Sequence, residues 1–100
     1  MTIWIIATRT NDEIPFTFRL LPGSVKTLGR AARADFVIDA GMVSRVHCQF
    51  SAGTSEVEVT DLDSTNGTYV NGQRVARALL KDGDELGIGR VTFKVSRSET

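Results

Sequence analysis

The sequence predicts an all-β fold, a two-sheet antiparallel β-sandwich of about ten to eleven strands. Short segments that alternate apolar and polar residues recur along the whole chain, which is the period of a sheet with one face in water. Glycine-containing turn signals separate these segments, and no helical period is sustained. Ten candidate strands can be counted, at residues 3–8, 16–20, 25–28, 36–38, 47–51, 56–61, 68–70, 73–75, 85–88 and 91–95.

The first five segments make up the N-terminal half of the predicted sandwich. In the first of them Trp4 stands among isoleucines, which favours packing over surface recognition. The second alternates Phe and Leu with polar residues, and Pro22-Gly23 marks the turn that follows it. A short helix is the competing interpretation of residues 30–35, where Ala and Arg are good helix formers. The fifth segment contains Cys48, which is expected in the core as a small hydrophobe.

The other five segments follow with clearer turn chemistry. Segments 56–61 and 91–95 alternate valine or phenylalanine with polar residues. Asn71-Gly72 can supply the two positive φ angles of a type I′ turn, so the segments on either side of it form the most secure hairpin. Asp82-Gly83 marks the turn before the ninth segment. For residues 73–81 a helix remains the competing interpretation.

Composition limits the classes of function. With 100 residues, the chain is expected to be one domain, residues 1–100, that buries its own core. Twelve basic residues balance twelve acidic ones, so no overall field attracts nucleic acid or an anionic membrane, and recognition of an anion has to be local. Cys48 is the only cysteine, which excludes an internal disulfide and a multi-thiolate metal site. We expect a soluble, intracellular domain, since no apolar run reaches the length of a signal-peptide core or a membrane span.

Three polar clusters lie between the predicted strands, where a rigid scaffold presents side chains and free backbone N–H groups. Together they offer a guanidinium group, hydroxyls, an amide and tight glycine turns, but no nucleophile beside a base. This inventory is suited to holding a phosphate, and we do not expect an enzyme. The clusters are Gly29-Arg30, Ser44-Arg45-Val46-His47 and Ser64-Thr65-Asn66-Gly67-Thr68.

Four motifs in order resemble those of the forkhead-associated (FHA) domain family, and the resemblance covers nearly the whole chain. The family is a β-sandwich that binds phosphothreonine peptides. The resemblance implies that this chain binds a threonine-phosphorylated protein or peptide in an extended segment. We also expect the isolated domain to be a monomer and to need no metal or other cofactor. The matching residues are Gly29-Arg30, Ser44-x-x-His47, Thr65-Asn66-Gly67-Thr68 and Asn71-Gly72.

By this resemblance Arg30 is the arginine that binds the phosphate, and a guanidinium group can make two parallel hydrogen bonds to phosphate oxygens. Ser44 would donate its hydroxyl, and the N–H of Arg45 would add a second bond from the same turn. Thr65 matches the second hydroxyl donor. Asn66 matches the residue whose amide binds the peptide backbone. Taken singly, each also fits an ordinary surface loop or an Asx-type turn.

Other residues are given supporting roles. Met42 and Val43 lie where family members choose a peptide side chain beyond the phosphothreonine, and the lack of charge there predicts an apolar preference. His47 is expected to brace the binding loops, as in the family. The remaining structural supports of these loops are Gly29, which is expected to allow a sharp turn out of a strand, Gly67 and Asn71.

Three other interpretations stay open at this point. The first is a phospho-independent interaction or assembly module on the same fold. In that case the hydrogen-bond donors of Arg30, Ser44, Thr65 and Asn66 would have no function in binding. The second is a nucleic-acid binder using Arg30, Arg33 and Arg45, which the neutral composition disfavours. The third is an enzyme, but Ser44, His47 and Asp61 lack the sequence context of a nucleophile turn.

Overall fold

A computed structural model describes residues 2–9 and 15–99. It contains eleven strands in this part of the chain, arranged as two packed sheets, and no helix. The predicted all-β sandwich is therefore confirmed. The strands are β1 (Thr2–Thr8), β2 (Thr17–Leu20), β3 (Val25–Gly29), β4 (Phe36–Val37), β5 (Cys48–Ala52), β6 (Val57–Asp61), β7 (Thr68–Val70), β8 (Gln73–Val75), β9 (Arg77–Leu80), β10 (Glu85–Ile88) and β11 (Val91–Glu99).

The two sheets have different strand orders. The six-stranded sheet runs β2-β1-β11-β10-β7-β8 and the five-stranded sheet runs β4-β3-β5-β6-β9. All pairs are antiparallel except β3 and β4, which pair in parallel with Leu28 beside Phe36. This exception to the predicted antiparallel pattern arises because the loop of residues 30–35 carries the chain back to the same end of the sheet before β4 begins.

The core forms between the sheets from the apolar positions of the alternating strands. In β6 and β11 the buried valines and Phe93 alternate with more exposed polar residues. Phe18 of one sheet stacks on Phe36 of the other, with ring centroids 4.5 Å apart. The fully buried apolar side chains include Trp4, Ile6, Leu20, Leu28, Ile38, Cys48, Phe50, Val57, Val59, Leu80, Leu86, Ile88, Phe93 and Val95.

The placement of Trp4 and Cys48 in the core confirms two predictions. The Trp4 Nε1–H donates to the carbonyl oxygen of Gly53 at 2.8 Å, which satisfies its one polar group. Burial, together with the nearby charge of Asp61, raises the pKa of the Cys48 thiol well above its ordinary value, so it stays protonated and unreactive.

The region 73–81 is where the sequence prediction was least complete. The structure replaces the alternative helix with β8, a bend at Ala76 and β9, a strand that the ten candidates did not include. The bend passes the chain from the six-stranded sheet to the five-stranded one, where Leu79 pairs with Glu58. The alternative helix at residues 30–35 is likewise absent, since those residues form turns and bends.

Strand β11 is longer than expected, because β1 provides a partner for its residues from Phe93 to Glu99. Thr2 pairs with Glu99, so the ladder extends four residues past Val95. The Asn71-Gly72 turn is as predicted, with φ angles of 49° and 84°. No segment in the described ranges is a helix long and apolar enough for a membrane crossing.

Candidate functional site

Three loops meet at one end of the sandwich. They are residues 30–35 between β3 and β4, residues 38–47 between β4 and β5, and residues 62–67 between β6 and β7. They enclose an open depression of about 820 Å³. Its lining is Arg30, Arg33, Asp39, Ala40, Gly41, Met42, Val43, Ser44, Arg45, Val46, Leu62, Asp63, Thr65 and Asn66.

The first two loops are held against each other by their backbones. The N–H groups of Arg30 and Ala31 donate to the carbonyl oxygens of Ser44 and Arg45, each at 3.0 Å. Gly29 makes this approach possible, because a Cβ there would overlap the Arg45 carbonyl and lie 2.8 Å from the Cα of Val46. Gly29 thus allows close backbone contact between the end of β3 and the loop of residues 38–47, and it is not among the glycines with a positive φ, so the sharp turn suggested by the sequence does not explain it.

Arg30 is exposed on the wall of the depression. Its Nε–H donates to the carbonyl oxygen of Val43 at 3.2 Å, which fixes the guanidinium group against the loop of residues 38–47. This bond uses one of the five N–H donors of the group. No carboxylate in the described part of the chain lies within ion-pair distance of Arg30, so its charge is available to an anion.

Ser44 and Thr65 join the second and third loops. The Thr65 N–H donates to the Ser44 Oγ at 3.0 Å, while the hydroxyl hydrogen of Ser44 remains free to turn toward the depression. The Thr65 side chain is exposed on the same surface. Arg45 is also exposed there, and its carbonyl is occupied by the bond to Ala31. Donors from three loops therefore face one space.

Asn66 crosses from the third loop to the second. Its Nδ2 donates to the carbonyl oxygen of Met42 at 3.0 Å, and the residue is half-buried. The side chain of Met42 is 44% exposed, whereas Val43 is 3% exposed and packs in the core. Of this pair, predicted to select the ligand, only Met42 offers a side chain to the surface, since Val43 contributes its carbonyl oxygen alone.

His47 lies fully buried beneath the loops. Its Nδ1 accepts from the Ser44 N–H at 3.1 Å, and its Nε2 lies 2.8 Å from the carbonyl oxygen of Gly67. Because Nδ1 accepts, the ring proton in this arrangement is on Nε2 and is donated to Gly67. Both nitrogens are thus bonded to backbone groups, one on each of two loops, at the position where the sequence predicts a brace.

A second set of polar residues, centred on Asp61, shapes the third loop; the sequence analysis named Asp61 only in a possible triad and did not connect it with Ser64 and Thr68. One carboxylate oxygen of Asp61 accepts from the Ser64 hydroxyl at 2.5 Å and the Thr68 hydroxyl at 2.8 Å. The other accepts from the Ser64 N–H at 3.2 Å, and the Ser64 Oγ in turn accepts from the Gly67 N–H at 3.0 Å. The spacing of Asp61, Ser64 and Thr68 around a glycine was the available signal.

This network outweighs the effect of burial on the Asp61 carboxyl group. Burial acts to raise its pKa, but the hydrogen bonds from Ser64 and Thr68 favour the charged form and leave the pKa below the ordinary value of 3.8. The carboxylate is therefore ionised at neutral pH and holds the loop that carries Thr65 and Asn66.

Gly67 and Asn71, both predicted supports, lie in different places. Gly67 has a φ of 88° in the third loop and touches the side chain of Arg74. Asn71 lies at the other end of β7, where it bonds to Asp84 at 3.2 Å and to the Glu85 N–H at 2.9 Å. It supports the turn before β10 and makes no hydrogen bond to the three loops within the described residues, because β7 separates it from them.

The chain is similar to known proteins in both sequence and fold. The family model of the FHA domain matches residues 26–89. The glycogen accumulation regulator GarA of Mycobacterium tuberculosis is 41% identical over 71 residues, which are 71% of this chain and 44% of GarA. The oxoglutarate dehydrogenase inhibitor of Corynebacterium efficiens is also 41% identical over 71 residues, 71% of this chain and 50% of that protein. The chain therefore spans about half the length of these relatives.

Solved structures agree over nearly the full chain. The FHA domain of the CT664 protein from Chlamydia trachomatis superposes with a TM-score of 0.88 at 23% identity. The match covers 98% of this chain and 99% of that domain, which shows that the two have the same fold. A structure from a study of phosphothreonine-dependent FHA domain interactions has a TM-score of 0.85 at 28% identity, with 100% of both chains covered. With the family model matched across most of its strands and all three loops, this chain belongs to the FHA domain family.

Proposed function

We propose that this chain is a phosphopeptide-recognition module that binds phosphothreonine in an extended segment of a partner protein. The observation that carries the proposal is the convergence of Arg30, Ser44, Arg45, Thr65 and Asn66 on one depression. The Arg30 guanidinium group keeps four of its five N–H donors, and the Ser44 hydroxyl, which acts as an acceptor within the fold, keeps its own hydrogen for a ligand. A solved FHA structure that is 28% identical to this chain comes from an analysis of phosphothreonine-dependent FHA domain interactions. This similarity supports phosphothreonine as the ligand.

The chemistry of the ligand follows from the donors. A phosphothreonine carries about −1.5 to −2 charges at neutral pH and three acceptor oxygens. The Arg30 guanidinium group would take two of these in parallel, and the Ser44 and Thr65 hydroxyls and the Arg45 N–H would take the rest. An aspartate has one charge and two oxygens, so it leaves several of these donors unpaired. We expect it to be a poor mimic.

Recognition without catalysis fits the placement of His47. Its two ring nitrogens are bonded to Ser44 and Gly67, so the ring has no free nitrogen to accept a proton from a nucleophile. We propose that residues 1–100 fold as one domain, which binds its ligand reversibly and as a monomer. We also propose that it acts inside the cell. With so few contacts, affinity on the order of micromolar is expected.

The test begins with a pull-down from an oriented phosphothreonine peptide library, which selects peptides that the chain binds. Titration calorimetry then measures the affinity for single peptides from that selection. Wild type should bind a phosphothreonine peptide and not the same peptide with threonine. Arg30→Ala should cost about 2–5 kcal/mol of binding, because the phosphate loses its main charged partner. Arg19→Ala is the matched control, since Arg19 is exposed on β2 and lies outside the depression.

Two results would contradict the proposal. One is wild-type affinity of the Arg30→Ala variant for the phosphothreonine peptide. The other is partner binding that survives phosphatase treatment, which would favour a phospho-independent interaction module on the same fold.

A further inference from the structure

A second basic surface lies next to Asn66, outside the depression. It consists of Arg74 and Arg90, which we call the basic flank. Arg74 is exposed on β8, and a Cβ placed on Gly67 would come within 2.7 Å of its Nε and 3.0 Å of its Cζ. The guanidinium group of Arg74 therefore lies against the backbone of the loop that carries Asn66.

Arg90 reaches the same place from the turn between β10 and β11. Ile88 pairs with Thr68, so this turn lies beside the start of β7 and the third loop. The Arg90 Nε is 3.1 Å from the sulfur of Met42, whose carbonyl oxygen accepts the Asn66 amide. Asn66 and Arg90 therefore contact the same residue, Met42, one through its carbonyl oxygen and the other through its sulfur.

The charges of the basic flank are not neutralised within the described residues. Neither Arg74 nor Arg90 is within ion-pair distance of a carboxylate, and both are exposed. A thioether is a weak acceptor, so the contact to Met42 orients Arg90 without compensating its charge. The depression itself carries both signs of charge, since Arg30, Arg33 and Arg45 line it together with Asp39 and Asp63.

We propose that the basic flank recognises acidic residues of the ligand on one side of the phosphothreonine, the side that passes Asn66. This inference rests on the proposed function and deepens it. A peptide main chain paired with Asn66 continues toward Arg74 and Arg90, where aspartate or glutamate side chains find two guanidinium groups.

The test compares three phosphothreonine peptides of equal length by calorimetry. One has neutral flanks, one has two aspartates before the phosphothreonine, and one has two aspartates after it. Since the flank lies on one side of Asn66, one acidic peptide should bind wild type about three- to tenfold more tightly than the neutral peptide, as expected for two exposed charge pairs. The gain should shrink at 1 M salt.

The double variant Arg74→Gln/Arg90→Gln should abolish this gain and leave the affinity for the neutral peptide within about twofold of wild type. Arg19→Gln, which removes an exposed charge from the far edge of the same sheet, should keep it. The inference is overturned if neither acidic peptide gains or if the gain persists in the double variant. Failure of wild type to bind the neutral phosphothreonine peptide would instead overturn the proposed function.

Discussion

At the scale of single residues, the hydroxyl groups of Ser44 and Thr65 differ in their hydrogen bonds to the rest of the fold. The Ser44 Oγ both faces the depression and accepts the Thr65 N–H, whereas no such bond ties the Thr65 side chain to the described residues. Removing the Ser44 hydroxyl would therefore delete a proposed phosphate donor and also a hydrogen bond between two loops.

Ser44→Ala should lower affinity for a phosphothreonine peptide by about 1.5–3 kcal/mol and also reduce the free energy of unfolding by about 1 kcal/mol. Thr65→Val, which keeps the shape and the backbone N–H, should lower affinity by a similar amount and leave stability nearly unchanged. Calorimetry and urea denaturation separate the two effects. Equal stability losses in both variants would contradict this difference.

The Asp61 carboxyl group makes a prediction about pH. Its pKa is lower in the folded state than its ordinary value of 3.8, so it stabilises the fold above about pH 4, and the contribution is lost as the pH falls through the lowered pKa. Asp61→Asn should be less stable than wild type at pH 7 by about 1–2 kcal/mol, since the carboxylate is only half-buried. Denaturation series should show the gap closing below pH 4, and a constant gap down to pH 2 would contradict this assignment.

At the scale of elements, the loops depend on how closely the backbone of residues 38–47 lies on β3. Gly29→Ala should cost about 3 kcal/mol of stability or more, because the added methyl group meets the backbone of Arg45 and Val46. It should also weaken phosphopeptide binding by moving Arg45 and Ser44. Gly41→Ala in the same loop is the control, since a Cβ there meets nothing within 4 Å.

Thermal denaturation of the two glycine variants decides the point. A Gly29→Ala protein as stable as the Gly41→Ala protein would show that the loop does not need the close approach.

Sequence patterns predicted most elements because one face of each strand is buried and the period of two is visible. They missed β9 because Ala, Leu and Arg in residues 73–81 are good helix formers, and the bend at Ala76 carries no glycine or proline signal. Motif order picked out the residues that the structure brings together around one depression, which we propose as the phosphate donors. The sequence patterns did not indicate the contact of Arg90 with Met42, because it joins residues 48 positions apart.

At the scale of the whole molecule, binding and folding should respond to acid in separate ranges. The phosphate of a phosphothreonine takes up its second proton near pH 6, so affinity should begin to fall there while the fold, including Asp61, is still intact. Calorimetry from pH 8 to pH 5, with circular dichroism on the same samples, checks this. Constant affinity across that range would mean that the monoanion binds as well as the dianion.

The central claim is that the three loops bind one doubly charged phosphate. The most direct measurement is two-dimensional NMR of the ¹⁵N-labelled protein, including the arginine Nε–H groups, during titration with matched phosphothreonine and threonine peptides. We predict that the phosphorylated peptide shifts signals of the protein and that the unphosphorylated peptide does not. The largest of these shifts should belong to five residues: Arg30, Ser44, Arg45, Thr65 and Asn66. Shifts of the same size with the unphosphorylated peptide, or shifts centred on another surface, would contradict the claim.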